Sequence, residues 1–236
     1  MSGHAGEPHG AGIAGRLNWL RAGVLGANDA IVSVAAIVVG VAAATTETSA
    51  VLAAGAAGLV GGAISMALGE YVSVSSQSDS EKALIAKERA ELLDDPDAEL
   101  AELTAIYRSR GLSEPTAHLV AVELTQADAL RAHLDAELGI DPNQLTNPWH
   151  AAMSSAAAFT VGGALPLLAI LLPPEPIQIP VTFVVVLLAL AATGAVGTKI
   201  GGSPIGRATI RVIVGGAAAL AVSFLLGSLL GTTGVV

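Results

Sequence analysis

Residues Ala50–Tyr71 read Ala-Val-Leu-Ala-Ala-Gly-Ala-Ala-Gly-Leu-Val-Gly-Gly-Ala-Ile-Ser-Met-Ala-Leu-Gly-Glu-Tyr. No charged residue falls between Ala50 and Gly69, and about 20 such positions in a helix cross a hydrocarbon core of roughly 30 Å. The stretch ends in a thioether and a carboxylate. Met66 and Glu70 are four apart, so one helical face carries both. A carboxylate beside hydrocarbon is expensive and by default marks a pathway or a site. With a polarizable sulfur one turn away, the natural guest is a cation.

Four more apolar stretches follow the same pattern, at about Ile13–Ala44, Ala151–Leu172, Ile177–Thr198 and Val212–Leu230. Together with Ala50–Val74 they make five spans in a chain of 236 residues that is 53% hydrophobic. The predicted fold class is an all-α membrane protein. Ala and Gly abound in the spans, and small residues let transmembrane helices approach closely. The pairs Gly58/Gly62, Gly197/Gly201 and Gly227/Gly231 read as close packing, with one such face available for a subunit interface. Pro166, behind Gly162-Gly163, predicts a kink in the third span. The first span is too long for a cleaved signal and contains Asp29, so it is read as retained. His4 and His9 lie in a Gly-rich tail, residues 1–12, read as flexible.

Charge sorts the segments between spans. The interval Gln77–Asn147 carries fifteen acids and six bases, a net of −9 that equals the charge of the whole chain. Outside it five acids balance five bases: Arg16 and Arg21 early in the first span, Lys199, Arg207 and Arg211 around the turn between spans four and five. The linkers Thr45–Ser49 and Pro173–Pro176 have no Lys or Arg. The positive-inside rule then predicts a cytoplasmic N-terminus and acidic segment, with the C-terminus outside. The expected organisation is spans one and two over 13–76, a cytoplasmic acidic helical domain over 77–147, and spans three to five over 148–236.

The acidic interval reads as helical. No stop signal follows span two before Leu93, so its helix continues through Ser80–Leu93. Asp95-Pro96 fits an N-cap with proline at the first helical position. Leu100, Leu103, Ile106 and Tyr107 supply an apolar stripe, and Gly111 a stop. A third helix is expected from Ser113-Glu114-Pro115 to Gly139, with Leu119, Val122, Leu130, Leu134 and Leu138 facing the core. The prediction is a three-helix module beneath the membrane.

Two sets of residues carry the chemistry. Asp29 is eight residues beyond Arg21, about 12 Å deeper at 1.5 Å per residue, and span two runs the opposite way. Asp29, Met66 and Glu70 can therefore meet near one level; the alternative leaves Asp29 hydrogen-bonded to a neighbouring helix and Glu70 at the headgroups. In the acidic interval, Glu88/Glu91 and Glu99/Glu102 are spaced by three, each pair on one helical face. The connection Asp94–Asp97 lets their helices fold back, and Glu137 can complete a cage. Helical bundles hold divalent iron or manganese with carboxylates from adjoining helices; the alternative is a set of solvated faces. Enzyme readings find little support. There is no Glu-x-x-His for a ferritin-like oxidase, no Gly-x-Ser-x-Gly and no phosphate-binding Gly-x-x-x-x-Gly-Lys-[Ser/Thr]. The absence of cysteine excludes disulfides and thiolate sites, and the acidic charge argues against nucleic acid.

These residues together resemble the vacuolar iron transporter family. The matching motifs are Gly26-Ala27-Asn28-Asp29-Ala30-Ile31-Val32-Ser33 and Ser65-Met66-Ala67-Leu68-Gly69-Glu70-Tyr71-Val72-Ser73, then Ser76-Gln77-Ser78-Asp79 and the spaced glutamates. The resemblance implies five transmembrane helices, a homodimer, and a three-helix cytoplasmic metal-binding domain between spans two and three. It implies export of Fe2+, and often Mn2+, from the cytoplasm in exchange for protons. Asp29, Met66 and Glu70 would line the path, while Glu88, Glu91, Glu99, Glu102 and Glu137 would bind metal in the domain. Where the family often has a methionine one turn before the last of these, this chain has His133, a ligand that also suits Zn2+.

The expectation is therefore a proton-coupled divalent-metal exporter with no resident cofactor, multi-pass in a prokaryotic plasma membrane. Its partners would be the lipid bilayer, divalent metal ions, protons and a second copy of itself. The rivals are a Mn2+- or Zn2+-selective transporter of the same fold and a membrane-anchored metal sensor or storage protein without transport.

Overall fold

The structure, a computed structural model, describes residues 11–141, 146–200 and 205–233. His4, His9 and Gly201 lie outside them, as does most of the predicted tail; Ala11 and Gly12 already belong to the first helix. Seven α-helices follow in order: α1 (Ala11–Ala44), α2 (Thr48–Asp94), α3 (Pro96–Ser109), α4 (Glu114–His133), α5 (Pro148–Leu171), α6 (Glu175–Ile200) and α7 (Ile205–Thr232). A π-helical turn, Leu134–Leu138, extends α4. Five of the helices are long and apolar enough to cross a membrane: α1 from Gly26 to Ala44, α2, α5, α6 and α7. In hydrocarbon a helix satisfies its own backbone donors and acceptors, which is why each apolar stretch takes this form. The chain is an all-α, multi-pass membrane protein.

It divides into two compact units, one ending at Glu70 and resuming at Ala152, the other spanning Tyr71–Ala151. Helix α2 contributes to both. In the membrane unit α1 is the central helix, because it buries two faces. Ala30, Val34, Val38 and Ala42 pack with Val51 of α2 and with Phe159 and Ile170 of α5. Ile31, Ala35 and Val39 pack with Val186 and Leu190 of α6 and Leu220 of α7. The two faces are offset by one residue, or 100° of helix, and the remaining side of α1 carries Asp29 and Ile37, both exposed.

Glycine decides where helices touch. A β-carbon on Gly227 would lie within 2.8 Å of the Gly40 carbonyl carbon, and one on Gly231 within 2.6 Å of the Ala44 carbonyl oxygen. The Gly227/Gly231 pair is thus the seam between α7 and α1 of one chain. Gly58 and Gly62 similarly receive Ile37 and Phe159. Pro166 lies buried inside α5, which continues through it to Leu171.

The second unit is built as the sequence suggests at most positions. Helix α2 runs unbroken for 47 residues to Asp94. Asp95 caps α3, its carboxylate accepting from the Ala98 amide at 3.1 Å, with Pro96 next. Leu103 is fully buried between Ala121, Ala132 and Ala136, with Leu100, Ile106, Tyr107 and Leu124 around it. The chain turns at Gly111, where φ is +100°. The rings of Tyr71 and Trp149, near the two ends of the unit, meet at a tilt of 54° with centroids 4.9 Å apart.

Helix α4 departs from expectation twice. It does not run evenly to Gly139: Asp128 is extended (φ −165°, ψ 96°), and its carboxylate accepts from the Arg131 amide at 3.0 Å to restart the helix. The last turn widens to π geometry and stops at Gly139, where φ is +63°. Leu119, expected in the core, is 61% exposed. Ala117 and Ala121 take the inner face instead, because small side chains let α3 come close, and that rotation turns Leu119 outward.

Candidate metal centre

Four side chains of the second unit converge. Helix α2 supplies Glu88, α3 supplies Glu99, the end of α4 supplies His133 and the π turn supplies Glu137. His133 Nδ1 lies 3.0 Å from Glu88 Oε1, 3.5 Å from Glu99 Oε2 and 3.9 Å from Glu137 Oε2. One ligand atom from each of Glu88, Glu99 and His133 falls within 4.8 Å of the others, the span a single metal ion can bridge. His133 is completely buried and Glu88 nearly so, while Glu137 is the open side.

Local structure sets this geometry. The Asp95 cap and Pro96 start α3 directly after α2, and α3 packs on α4 and the π turn, which brings Glu99 within reach of Glu88 and His133. The π turn begins directly after His133, a feature common at functional sites. Arg110, at the end of α3, donates a hydrogen bond to the Ala136 carbonyl inside that turn and lies over the Tyr107 ring at 5.3 Å. That tie holds the turn bearing Glu137 to the α3 end.

The electrostatics are those of crowded acids. Burial, reinforced by Glu137, Glu99, Glu91 and Glu102, pushes the Glu88 carboxyl up to about 7 from its ordinary 4.5. Glu99 is also raised, chiefly by burial, with His133 opposing and the neighbouring acids adding. Glu88 Oε1 and both ring nitrogens of His133 are buried without a hydrogen-bond partner among the described residues. Buried polar atoms are nearly always paired, so this trio fits a set of donors aimed at a common ion. Carboxylate oxygens with one imidazole nitrogen suit Fe2+, Mn2+ or Zn2+.

Each Glu-x-x-Glu pair is split. Glu88 and Glu99 turn inward, whereas Glu91 binds Lys87 through both oxygens at 2.8 Å and Glu102 is exposed. Glu91 and Glu102 act on the centre through charge alone. Lys87 was not singled out from sequence, although Lys-x-x-x-Glu is the spacing of a helical ion pair. Its own ammonium is raised, first by the hydrogen bond to Glu91.

In the membrane unit, Asp29 is exposed on α1, and Met66 and Glu70 are half-buried on α2. Met66 packs against the cluster that contains Ala30. Its Cε comes within 3.8 Å of where a Gly26 β-carbon would stand. The thioether therefore reaches α1 one turn from Asp29, with Glu70 one turn further along α2. The structure also draws in a residue the sequence left unremarked: Thr193 of α6 hydrogen-bonds the amide oxygen of Asn28.

Five helices long and apolar enough to cross a membrane, with a carboxylate–imidazole cluster able to hold a metal ion between the second and the third, define a multi-pass membrane protein with a candidate metal centre. More narrowly, residues 20–228 match the model of the VIT family, and the chain belongs to that family. It is 44% identical over 225 residues to a protein of Acanthamoeba castellanii named vacuolar iron transporter, covering 95% of this chain and 83% of that one. It is 36% identical over 224 residues to vacuolar iron transporter homolog 5 of Oryza sativa subsp. japonica, covering 94% and 86%. Vacuolar iron transporter homolog 2.1 of Arabidopsis thaliana is 34% identical over 218 residues, covering 92% and 84%.

Proposed function

We propose that this protein exports Fe2+, and also Mn2+, from the cytoplasm in exchange for protons. The observation that carries the reading is the thioether of Met66 set against α1 one turn from the exposed Asp29, in a chain whose relatives are named iron transporters. A carboxylate in hydrocarbon is held there for a cation or a proton. Protonating Asp29 or Glu70 removes the charge that holds the metal, so one group serves both ions in turn. The soft sulfur disfavours Mg2+ and Ca2+ relative to Fe2+.

Glu88, Glu99, His133 and Glu137 bind the metal on the cytoplasmic side and raise its supply to the path, with Glu91 and Glu102 adding negative charge around them. The assembly is a homodimer in a prokaryotic plasma membrane, N-terminus inside and C-terminus outside, an orientation supported by the basic residues around spans one, four and five. The imidazole of His133 favours a second reading, a transporter of the same fold with a preference for Zn2+.

Purified protein in liposomes, given Fe2+, Mn2+ or Zn2+ under an imposed pH gradient, tests both readings at once. The wild type should carry Fe2+ against the proton gradient, and Asp29→Asn, nearly isosteric, should abolish flux while still folding and inserting. Undiminished flux in that variant would remove Asp29 from the path, and absence of flux in the wild type would return the protein to the sensor or storage class.

A further inference from the structure

We infer that Thr193, acting through the amide of Asn28, is a positioning residue for Asp29: the α6–α1 hydrogen bond sets the rotation of α1 that turns Asp29 onto its open face. The inference rests on the reading of Asp29 as a transport-path carboxylate, and it deepens that reading by naming what holds the group in place.

Helices α1 and α6 meet along a seam whose register is visible residue by residue. A β-carbon on Gly197 would touch Val24 at 3.1 Å, Thr193 bonds Asn28, and Leu190 joins Ile31 in one buried cluster. The α1 positions rise as the α6 positions fall, as in an antiparallel pair. Asn28–Thr193 is the polar rung of this otherwise apolar seam. Among the described residues it is also the one side-chain hydrogen bond joining different helices of the membrane unit.

The two partners need each other unequally. A threonine in a membrane helix can satisfy itself on its own backbone, as Thr160, Thr182 and Thr198 do on carbonyls four residues earlier. Thr193 has the same option, its hydroxyl lying 3.0 Å from the Ala189 carbonyl. An asparagine amide is too large a polar group to be absorbed that way, and an unsatisfied one in hydrocarbon is costly. Asn28 therefore depends on Thr193. Because Asp29 follows it at 100° around the same helix, anchoring the amide toward α6 directs the carboxylate off the bundle. Ala30 and Ile31 are already committed to the two buried faces, so little rotational freedom remains while the rung is intact.

A control lies beside it. Thr209 of α7 stands against Gly194, and its hydroxyl is buried with no hydrogen-bond partner among the described residues. The same threonine-to-valine change there removes a hydroxyl that holds nothing.

Full-length protein in liposomes tests the inference by flux and by labelling. Thr193→Val should raise the KM for Fe2+ about tenfold or more, since misplacing a reacting group by about 1 Å can cost roughly 100-fold. Thr193→Ser should restore the wild-type KM, and Thr209→Val should match wild type. The chain has no cysteine, so Asp29→Cys creates a unique reporter whose labelling by a membrane-permeant maleimide reads helix orientation without any iron flux. Adding Thr193→Val to that reporter should change its labelling rate several-fold, and adding Thr193→Ser should not. Equal labelling rates in the three backgrounds overturn the inference, whatever the transport activity. An equal loss of transport in Thr193→Val and Thr209→Val also overturns it, as a general packing effect. Failure of wild-type Fe2+ flux, by contrast, counts against the transport reading alone, because the labelling arm still decides the position of residue 29.

Discussion

His133 Nδ1 and Glu88 Oε1 stand 3.0 Å apart in the interior of the second unit, close enough to bond yet not aligned as a hydrogen bond. Both atoms point at shared space with Glu99 rather than satisfying each other. A donor set that converges without pairing internally is what a divalent ion requires.

Metal binding at this centre should be strongly pH-dependent near neutrality. Glu88 is raised to about 7, and a metal binds only its ionised form. Affinity for Fe2+ or Zn2+ should fall about tenfold per pH unit below about 7 if one proton is displaced. The metal-free protein should behave in the opposite sense. Between about pH 4.5 and 7 folded Glu88 holds a proton that the unfolded chain has released, so stability falls as pH rises through that window. Titration calorimetry and thermal unfolding of the full-length protein in detergent check both slopes. A flat binding profile from pH 5 to 8 would remove Glu88 from the ligand set.

The inward and outward glutamates should separate on mutation. Glu88→Gln and Glu99→Gln keep shape but lose an anionic donor within reach of His133, and each should weaken binding sharply. Glu102→Gln, exposed, should cost much less, through lost long-range attraction that salt screens. Calorimetry at low and high ionic strength distinguishes the two classes. Equal losses at Glu88 and Glu102 would mean the acids act as a diffuse charged surface.

Replacing the thioether should alter selectivity more than folding. Met66→Leu preserves volume, so its stability cost should be at most about 1.5 kcal/mol. Flux of Fe2+ should fall relative to Mn2+ in liposomes carrying the variant. An unchanged Fe2+/Mn2+ rate ratio would assign Met66 to packing against Gly26 and nothing more.

Glycines of similar appearance should differ greatly. Gly227→Ala places a methyl on the backbone of Gly40 and should destabilise the protein by about 1–3 kcal/mol or more, the usual cost of overpacking. Gly215→Ala meets nothing within 4 Å and should be neutral or stabilising, because alanine is the better helix former. Thermal unfolding in detergent measures the contrast. Comparable melting temperatures for the two variants would argue against the close α1–α7 seam.

The sequence by itself determined the five spans, the unbroken α2 and the turn at Asp95-Pro96. Each depends on a local property: run length against bilayer thickness, a missing stop signal, or a capping side chain. It also determined which residue types could bind metal, since chemistry travels with the side chain. Tertiary structure alone decided which did what. Spacing of three puts Glu88 with Glu91, and Glu99 with Glu102, but it does not say which member turns inward; the packing of α3 on α4, which sets Glu88 and Glu99 around His133, made that choice. Leu119 satisfied the helical period and still faces outward, because Ala117 and Ala121 admit α3 more closely than leucine would. Gly227 announces a close approach without naming its partner, and that partner is Gly40, far along the chain. Asn28 adjoins Asp29 in sequence, yet its hydrogen-bond partner is Thr193 on α6. Contacts between helices distant in sequence are set by mutual packing, and no local pattern encodes them.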